Sequence, residues 1–342
     1  MNPVTKALFL WCCFLSPAFL RAQENAPAKP QTIFQRIASL DEPQVILRTN
    51  IDTLFGNRNT EDYQDADFIL QTPDGGEETY HIEIRNRGRS RRRTCDFPPI
   101  KLKFENDSLE ALGLKKHNEL KLVTHCLEEN EGEENLRQEY LIYKLYQELS
   151  PVHYRAKLVD ITYVHTDGSY REKSQAIILE DEKELAERLD SKLCEDCYGS
   201  PDSLFDNYRL QILTLYQYMV GNADWLISVL RNVKLLKPDD GGKYLLAPYD
   251  FDFTGVVNAS YARPDPTIGI ANVKQRVLLG PLNDFRKLPE AVAYFKERKG
   301  DILAFVEDFP YLRRNEKRSV IRYFESFFDE LEDLNTSPAS EN

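Results

Sequence analysis

Apolar and polar residues alternate with a period of two along much of residues 44–179, the pattern of strands that bury one face. Residues 79–85 (TYHIEIR) show it most cleanly. Residues 98–104 (PPIKLKF) place Ile100, Leu102 and Phe104 on one face and Lys101 and Lys103 on the other. Residues 44–52, 67–71 and 120–124 predict further strands, and 157–164 with 174–179 predict a hairpin around Asp167-Gly168. The period changes at 135–149, where Leu136, Tyr140, Ile142, Tyr143, Leu145, Tyr146 and Leu149 mark an amphipathic helix stopped by Pro151. A charged helix runs through Leu189, and helical spacing returns at 204–220, 280–297, 302–309 and 316–334. One more hairpin interrupts these helices: residues 232–236 and 244–247 flank the turn Pro238-Asp239-Asp240-Gly241-Gly242.

The order of elements divides the chain into a β-rich first lobe, 41–181, and a mainly helical second lobe, 182–334, an α+β arrangement. Residues 23–40 read as a disordered lead and 335–342 as a polar tail. Residues 1–22 carry Lys6, the apolar run ALFLWCCFLSPAFL and a small-residue end, which predicts a signal peptide cleaved after Ala22. No other apolar stretch approaches the length of a membrane span. The expected location is therefore periplasmic or extracellular. The formal charge is −12, and loss of Lys6 and Arg21 makes the mature chain two charges more negative. Such a balance argues against nucleic acid or an anionic membrane as partner.

Cys12 and Cys13 leave with the signal peptide. In an oxidising compartment Cys95, Cys126, Cys194 and Cys197 favour disulfides over zinc. Cys194 and Cys197 are spaced to close a tight loop, and Cys95 and Cys126 to staple two strands. The five histidines show no metal-ligand spacing, and no nucleophile motif of a serine hydrolase is present. The 18 tyrosines and 18 phenylalanines read as an aromatic core.

The candidate chemistry gathers at the later hairpin. Asn222, Asp224 and Asn232 precede it and Asp250 and Asp252 follow it, so hairpin closure should bring hard oxygen ligands together. Such a set suits Mg²⁺ or Mn²⁺ and, through the metal, a polyphosphate. The basic run 85–93, with Arg87, Gly88 and Arg89, reads either as a solvated loop or as a phosphate-facing cover.

The ordered set RNRGRSRRRTCDFPPIKLKF, NLRQEYLIYKLYQEL, AIILEDEKELAERL, GNADW, RNVKLL and APYDFDFTG resembles the spore-coat kinase (CotH-like) family of atypical, protein kinase-like proteins. The resemblance implies a two-lobed kinase-like fold and phosphotransfer from ATP, dependent on Mg²⁺ or Mn²⁺, to Ser/Thr hydroxyls of an exported or surface protein. It implies that Lys101, with Lys103 as alternate, holds phosphates and pairs with Glu139. It implies that Leu179, Glu180 and Asp181 form the adenine connector and that Asp224 is the base. Asn232 and Asp250 would hold metal, with Asp252 assisting. The alternative is a non-catalytic kinase-like binding or assembly protein of the envelope.

Overall fold

Seven strands close into a barrel in this computed structural model, which describes residues 30–88, 91–280 and 284–334. They are β1 (Gln44–Thr49), β2 (Gln64–Gln71), β3 (Glu77–Asn86), β4 (Ile100–Phe104), β5 (Glu119–Val123), β6 (Ala156–His165) and β7 (Arg171–Leu179). Their order around the barrel is β1-β2-β3-β4-β5-β7-β6. Neighbours pair antiparallel except at the closure, where β1 runs parallel to β6 with Val45 opposite Ile161. The inward row of each strand fills the interior; Leu47, Phe68, Ile84, Leu102, Leu122 and Tyr163 are all fully buried there.

The barrel corrects the expectation of two plain lobes. The first core lies inside the barrel. The second runs continuously from the outer face of β5, β6 and β7 (Val123, Leu158, Ile177, Leu179) into the helices and the later hairpin. The expected boundary at residue 181 therefore separates side chains that share one core.

Helix α1 (Ile33–Ala38) falls where a disordered lead was expected. Thr32 and Gln35 form a capping box, and Ile33, Phe34 and Ile37 are buried against the barrel core. Helix α2 (Ile51–Gly56) follows β1, α3 (Arg91–Thr94) occupies the end of the basic run, and α4 (Asn106–Ala111) links β4 to β5. Helix α5 (Glu129–Leu149) starts nearly two turns earlier than its apolar spacing suggests and lies on the second core. Asp181 caps α6 (Glu182–Arg188). Strand β8 (Ser191–Leu193) then adds a third strand to the later hairpin.

The hairpin strands are β9 (Val233–Pro238) and β10 (Leu245–Pro248), preceded by α7 (Asn207–Val220). The helix expected from residue 280 begins as α8 (Leu288–Glu297), with Pro289 in its first turn; α9 (Lys299–Asp308) and α10 (Arg314–Leu334) complete the chain. Among the described residues no helix is long and apolar enough to cross a membrane. The expected signal peptide and the polar tail lie outside the described residues.

Cys95 is bonded to Cys126, and Cys194 to Cys197. The first bridge spans 31 residues, the second three. Loop-closure entropy therefore predicts unequal effects: about 4 kcal/mol for the Cys95–Cys126 bridge and about 2 kcal/mol for the shorter one. Urea unfolding of the Cys95→Ala/Cys126→Ala and Cys194→Ala/Cys197→Ala proteins should show the first as the less stable.

Candidate active site

The site begins where α7 stops. Gly221 adopts a left-handed conformation at φ +67° and ends the helix. The chain then zips onto the segment after β10: Gly255 N–H donates to Gly221 O (3.0 Å) and Val256 N–H to Val220 O (3.2 Å). The Tyr323 hydroxyl sits over this crossing, so a Cβ at Gly221 or Gly255 would lie 2.1 or 2.2 Å from it. Buried Asn222 accepts from the Asp224 N–H (2.9 Å) and donates to Gln217 (3.0 Å), which sets the turn that presents Asp224.

Asn232 and Asp250 stand at the open end of the hairpin, both at positive φ (+55° and +67°). For residues other than glycine this conformation carries local strain, and such strain concentrates at functional sites. Register holds them together: Tyr249 N–H donates to Asn232 O (3.0 Å), and Asn232 Nδ2 donates to the Asp224 carbonyl (2.6 Å) and to its carboxylate (3.0 Å). Asp250 is fixed from α5, its N–H donating to the Tyr143 hydroxyl (2.8 Å). Thus Asp224, Asn232 and Asp250 converge, joined through side chains and backbone.

Behind them lies a buried cation that the sequence reading did not single out. The Arg91 guanidinium touches Asp250, Asp252 (2.7 Å) and Glu139 (3.4 Å) through the same nitrogen, Nη2. Tyr261 donates to the second oxygen of Asp252 (3.0 Å), and Phe251 N–H donates to Glu139 (3.3 Å). Burial, with the charges of Asp250 and Glu139, pushes the Asp252 carboxyl up to about 7 against the pull of Arg91. Burial also raises Glu139, and burial with Asp250 raises Asp224. Four carboxylates here face Arg91 and the half-exposed Arg231, which Asp224 shares with Asp265. Counted formally, four carboxylates against two guanidiniums leave two negative charges, and a proton held on Asp252 reduces that to one.

A second cluster adjoins it with the opposite balance. Lys121 on β5 and Lys234 on β9 both bind Glu182, the first residue of α6, the latter at 3.0 Å. Their ammonium groups lie 4.3 and 5.9 Å from the centre of the Tyr249 ring, and Tyr249 precedes Asp250. Burial, with Arg87 and Lys234 nearby, lowers Lys121 to about 8 despite Glu182. Burial opposes the charge on Glu182, yet the two lysines bring its carboxyl down to about 2. With Arg87 acting on Lys121 and Glu195 on Lys234, three cations face two carboxylates, a formal surplus of one positive charge.

The other expected site residues lie elsewhere or serve the fold. Lys101 pairs with Glu119 (2.8 Å), its diagonal neighbour on β5, and Lys103 with Glu83 (2.6 Å) directly across on β3. Glu139 instead meets Arg91, so the ion pair implied between Glu139 and a β4 lysine is not the one formed. Lys101 sits opposite Lys121 in register, on the barrel's outer face but one strand farther away. Buried Glu180 accepts from Arg188 (2.6 Å) and from the Arg155 N–H (2.8 Å), while Asp181 caps α6 and accepts from the Glu119 N–H (2.8 Å). Leu179 is buried opposite Lys121. Gly88 takes φ +79°, Arg87 donates its N–H to Pro99 O (2.9 Å), and Arg89 lies outside the described residues.

Lys121 and Lys234 had a legible signal, since each alternates with buried apolar neighbours in the same way as Lys101. Glu182 had less, as one acid in a charged helix start. Arg91 had none that set it apart from its neighbouring arginines.

No family model matches the sequence, and no curated protein matches it. Among solved structures the chain is similar to the Helicobacter pylori proinflammatory kinase CtkA. The identity is 11% and the TM-score 0.39, over 70% of this chain and 97% of that one.

The depressed Glu182 carboxyl fixes a pH dependence. Its folded value lies below its unfolded one, so its stabilisation is complete above about pH 5 and is lost as pH falls toward 2. Glu182→Gln should cost about 3 kcal/mol at pH 7, the scale of a broken, largely buried pair. In urea titrations at stepped pH, the gap between wild type and Glu182→Gln should narrow between about pH 4.5 and 2.

Proposed function

We propose that this chain is an exported phosphotransferase that binds ATP with Mg²⁺ or Mn²⁺ and passes the terminal phosphoryl group to a protein Ser/Thr hydroxyl. The observation that carries this reading is the adjacency of two charge-imbalanced clusters on one hairpin. One offers converging oxygens with surplus negative charge, and the other offers lysines with surplus positive charge. A metal–polyphosphate has the complementary distribution: a divalent cation at one end of a chain of anionic oxygens.

The donor set fits the metal. Asp250 Oδ2 and Asn232 Oδ1 accept no hydrogen bond from any described residue, although the opposite atoms of both side chains are engaged. Hard oxygens of this kind suit Mg²⁺ or Mn²⁺. The metal would supply neutralisation of the phosphate oxygens. Lys121 and Lys234, with Arg87, would receive the phosphate charge. Asp224, at the rim and raised by burial, would take the proton of the incoming hydroxyl. The hydroxyl oxygen forms its bond to the γ-phosphorus as the bond to the bridging oxygen breaks, and ADP leaves. Catalysis of this kind rests on positioning and charge rather than on a covalent nucleophile.

One observation favours a second reading, a non-catalytic kinase-like binding protein: Arg91 already engages Asp250, Asp252 and Glu139. The two readings separate on turnover, since the binding protein would retain nucleotide without consuming it.

Thermal unfolding of the oxidised mature protein should shift with ATP plus Mn²⁺, by about 2.7 kcal/mol at a hundredfold excess over the dissociation constant. The shift should vanish in Asp250→Ala. Lys121→Met should weaken the response to ATP while leaving the response to Mn²⁺ alone. An equal ATP shift in all three proteins would contradict the site.

A further inference from the structure

We propose that Arg91 is a resident counter-cation that occupies the place of a second divalent ion, so that the site takes one metal ion per chain. The inference rests on the metal–nucleotide reading above and concerns how many ions that site accepts.

The side-chain oxygens decide the count. Arg91 Nη2 takes one oxygen from each of Asp250, Asp252 and Glu139. Tyr261 takes the other oxygen of Asp252, and the Phe251 N–H adds to the load on Glu139. Both oxygens of Asp252 are therefore already engaged, one by Arg91 and one by Tyr261. Toward the rim, Asp250 keeps one carboxylate oxygen free of described partners, and Asn232 keeps its carbonyl oxygen. With Asp224 alongside, that set can hold one small hard cation. Behind that set only Glu139 Oε2 lacks a described partner, and one such oxygen beside a guanidinium makes no second site without the oxygens that Arg91 and Tyr261 already hold.

Arg91 is installed rather than transient. It is buried, and its short helix is pinned on several sides. Arg92 donates to Thr60 O (2.9 Å), Arg93 donates to Asn59 (3.2 Å), and Arg58 donates to Cys95 O (2.6 Å). Cys95, immediately after α3, is bonded to Cys126, three residues before α5 begins. The bridge thus ties the segment that carries Arg91 to the helix that carries Glu139. A guanidinium held by a covalent brace between its own segment and its partner's is positioned as a permanent ion.

The test counts bound Mn²⁺ by the loss of the free-ion electron paramagnetic resonance signal, using the oxidised mature protein with Mn²⁺ alone. Wild type should bind one ion, and Arg91→Lys, which keeps the charge, should also bind one. Arg91→Met, which removes the charge and frees three oxygens, should bind two, and added Mn²⁺ should raise its melting temperature more than that of wild type. Two ions in wild type would overturn the proposal without touching the metal–nucleotide reading, and this count does not depend on whether Arg91→Met folds. A single ion of unchanged affinity in folded Arg91→Met would also overturn it. No bound Mn²⁺ in folded wild type, with or without ATP, would overturn both.

Discussion

A single buried guanidinium joins the parts of this protein that its chemistry needs together. Arg91 comes from the segment between two barrel strands, Glu139 from the long helix that covers the barrel, and Asp250 and Asp252 from the chain leaving the hairpin. Taking such charges out of water costs several kcal/mol per ion, and the cost is offset only by close, well-oriented partners. Three carboxylates gather on one nitrogen of Arg91, and Tyr261 donates to Asp252 behind them, while Arg91 Nε has no hydrogen-bond partner among the described residues. A site built this way requires the barrel, the helix and the hairpin to be in register at the same time.

The register has consequences beyond the carboxylates. Tyr249 is held against Asn232 by a backbone hydrogen bond, and its ring carries both lysines while the next residue is Asp250. Negative surplus on one side and positive surplus on the other create a steep local field across a single residue. Between partly buried side chains such a field is worth more than the same charges would be in water. A ligand that carries its own cation next to its own anions relieves both sides at once, which a simple carboxylate or amine would not do. Disulfides in the framework accord with an exported chain.

Much of the local structure was legible because its causes are local. The alternation in TYHIEIR and PPIKLKF specified strands, and the spacing from Leu136 to Leu149 specified the helix, since each period reports one buried face. The turn at Gly241-Gly242 likewise placed Asn232 and Asp250 at one end of a hairpin. Closure of the barrel was not legible, because the parallel pairing of β1 with β6 joins residues more than a hundred positions apart. The partner of Glu139 was hidden for a related reason. Lys101 and Lys103 face outward as expected, but register puts Glu119 and Glu83 within reach of them first. Arg91 and Glu139 are 48 positions apart, and their contact depends on where the barrel segment and α5 pack rather than on any local spacing. The helix at Ile33 carries a capping box at Thr32 and Gln35, a signal one turn long at the end of a polar, proline-containing lead.

The account stands most directly on where a metal ion sits. Crystals of the oxidised mature protein grown with Mn²⁺ and a non-hydrolysable ATP analogue would give an anomalous peak at the manganese absorption edge. The expected peak lies about 2.1 Å from Asp250 Oδ2 and Asn232 Oδ1, the usual distance for a small divalent ion on oxygen, with the triphosphate extending toward Lys121 and Lys234. A peak remote from the hairpin, or a well-ordered analogue bound away from both lysines, would contradict the account.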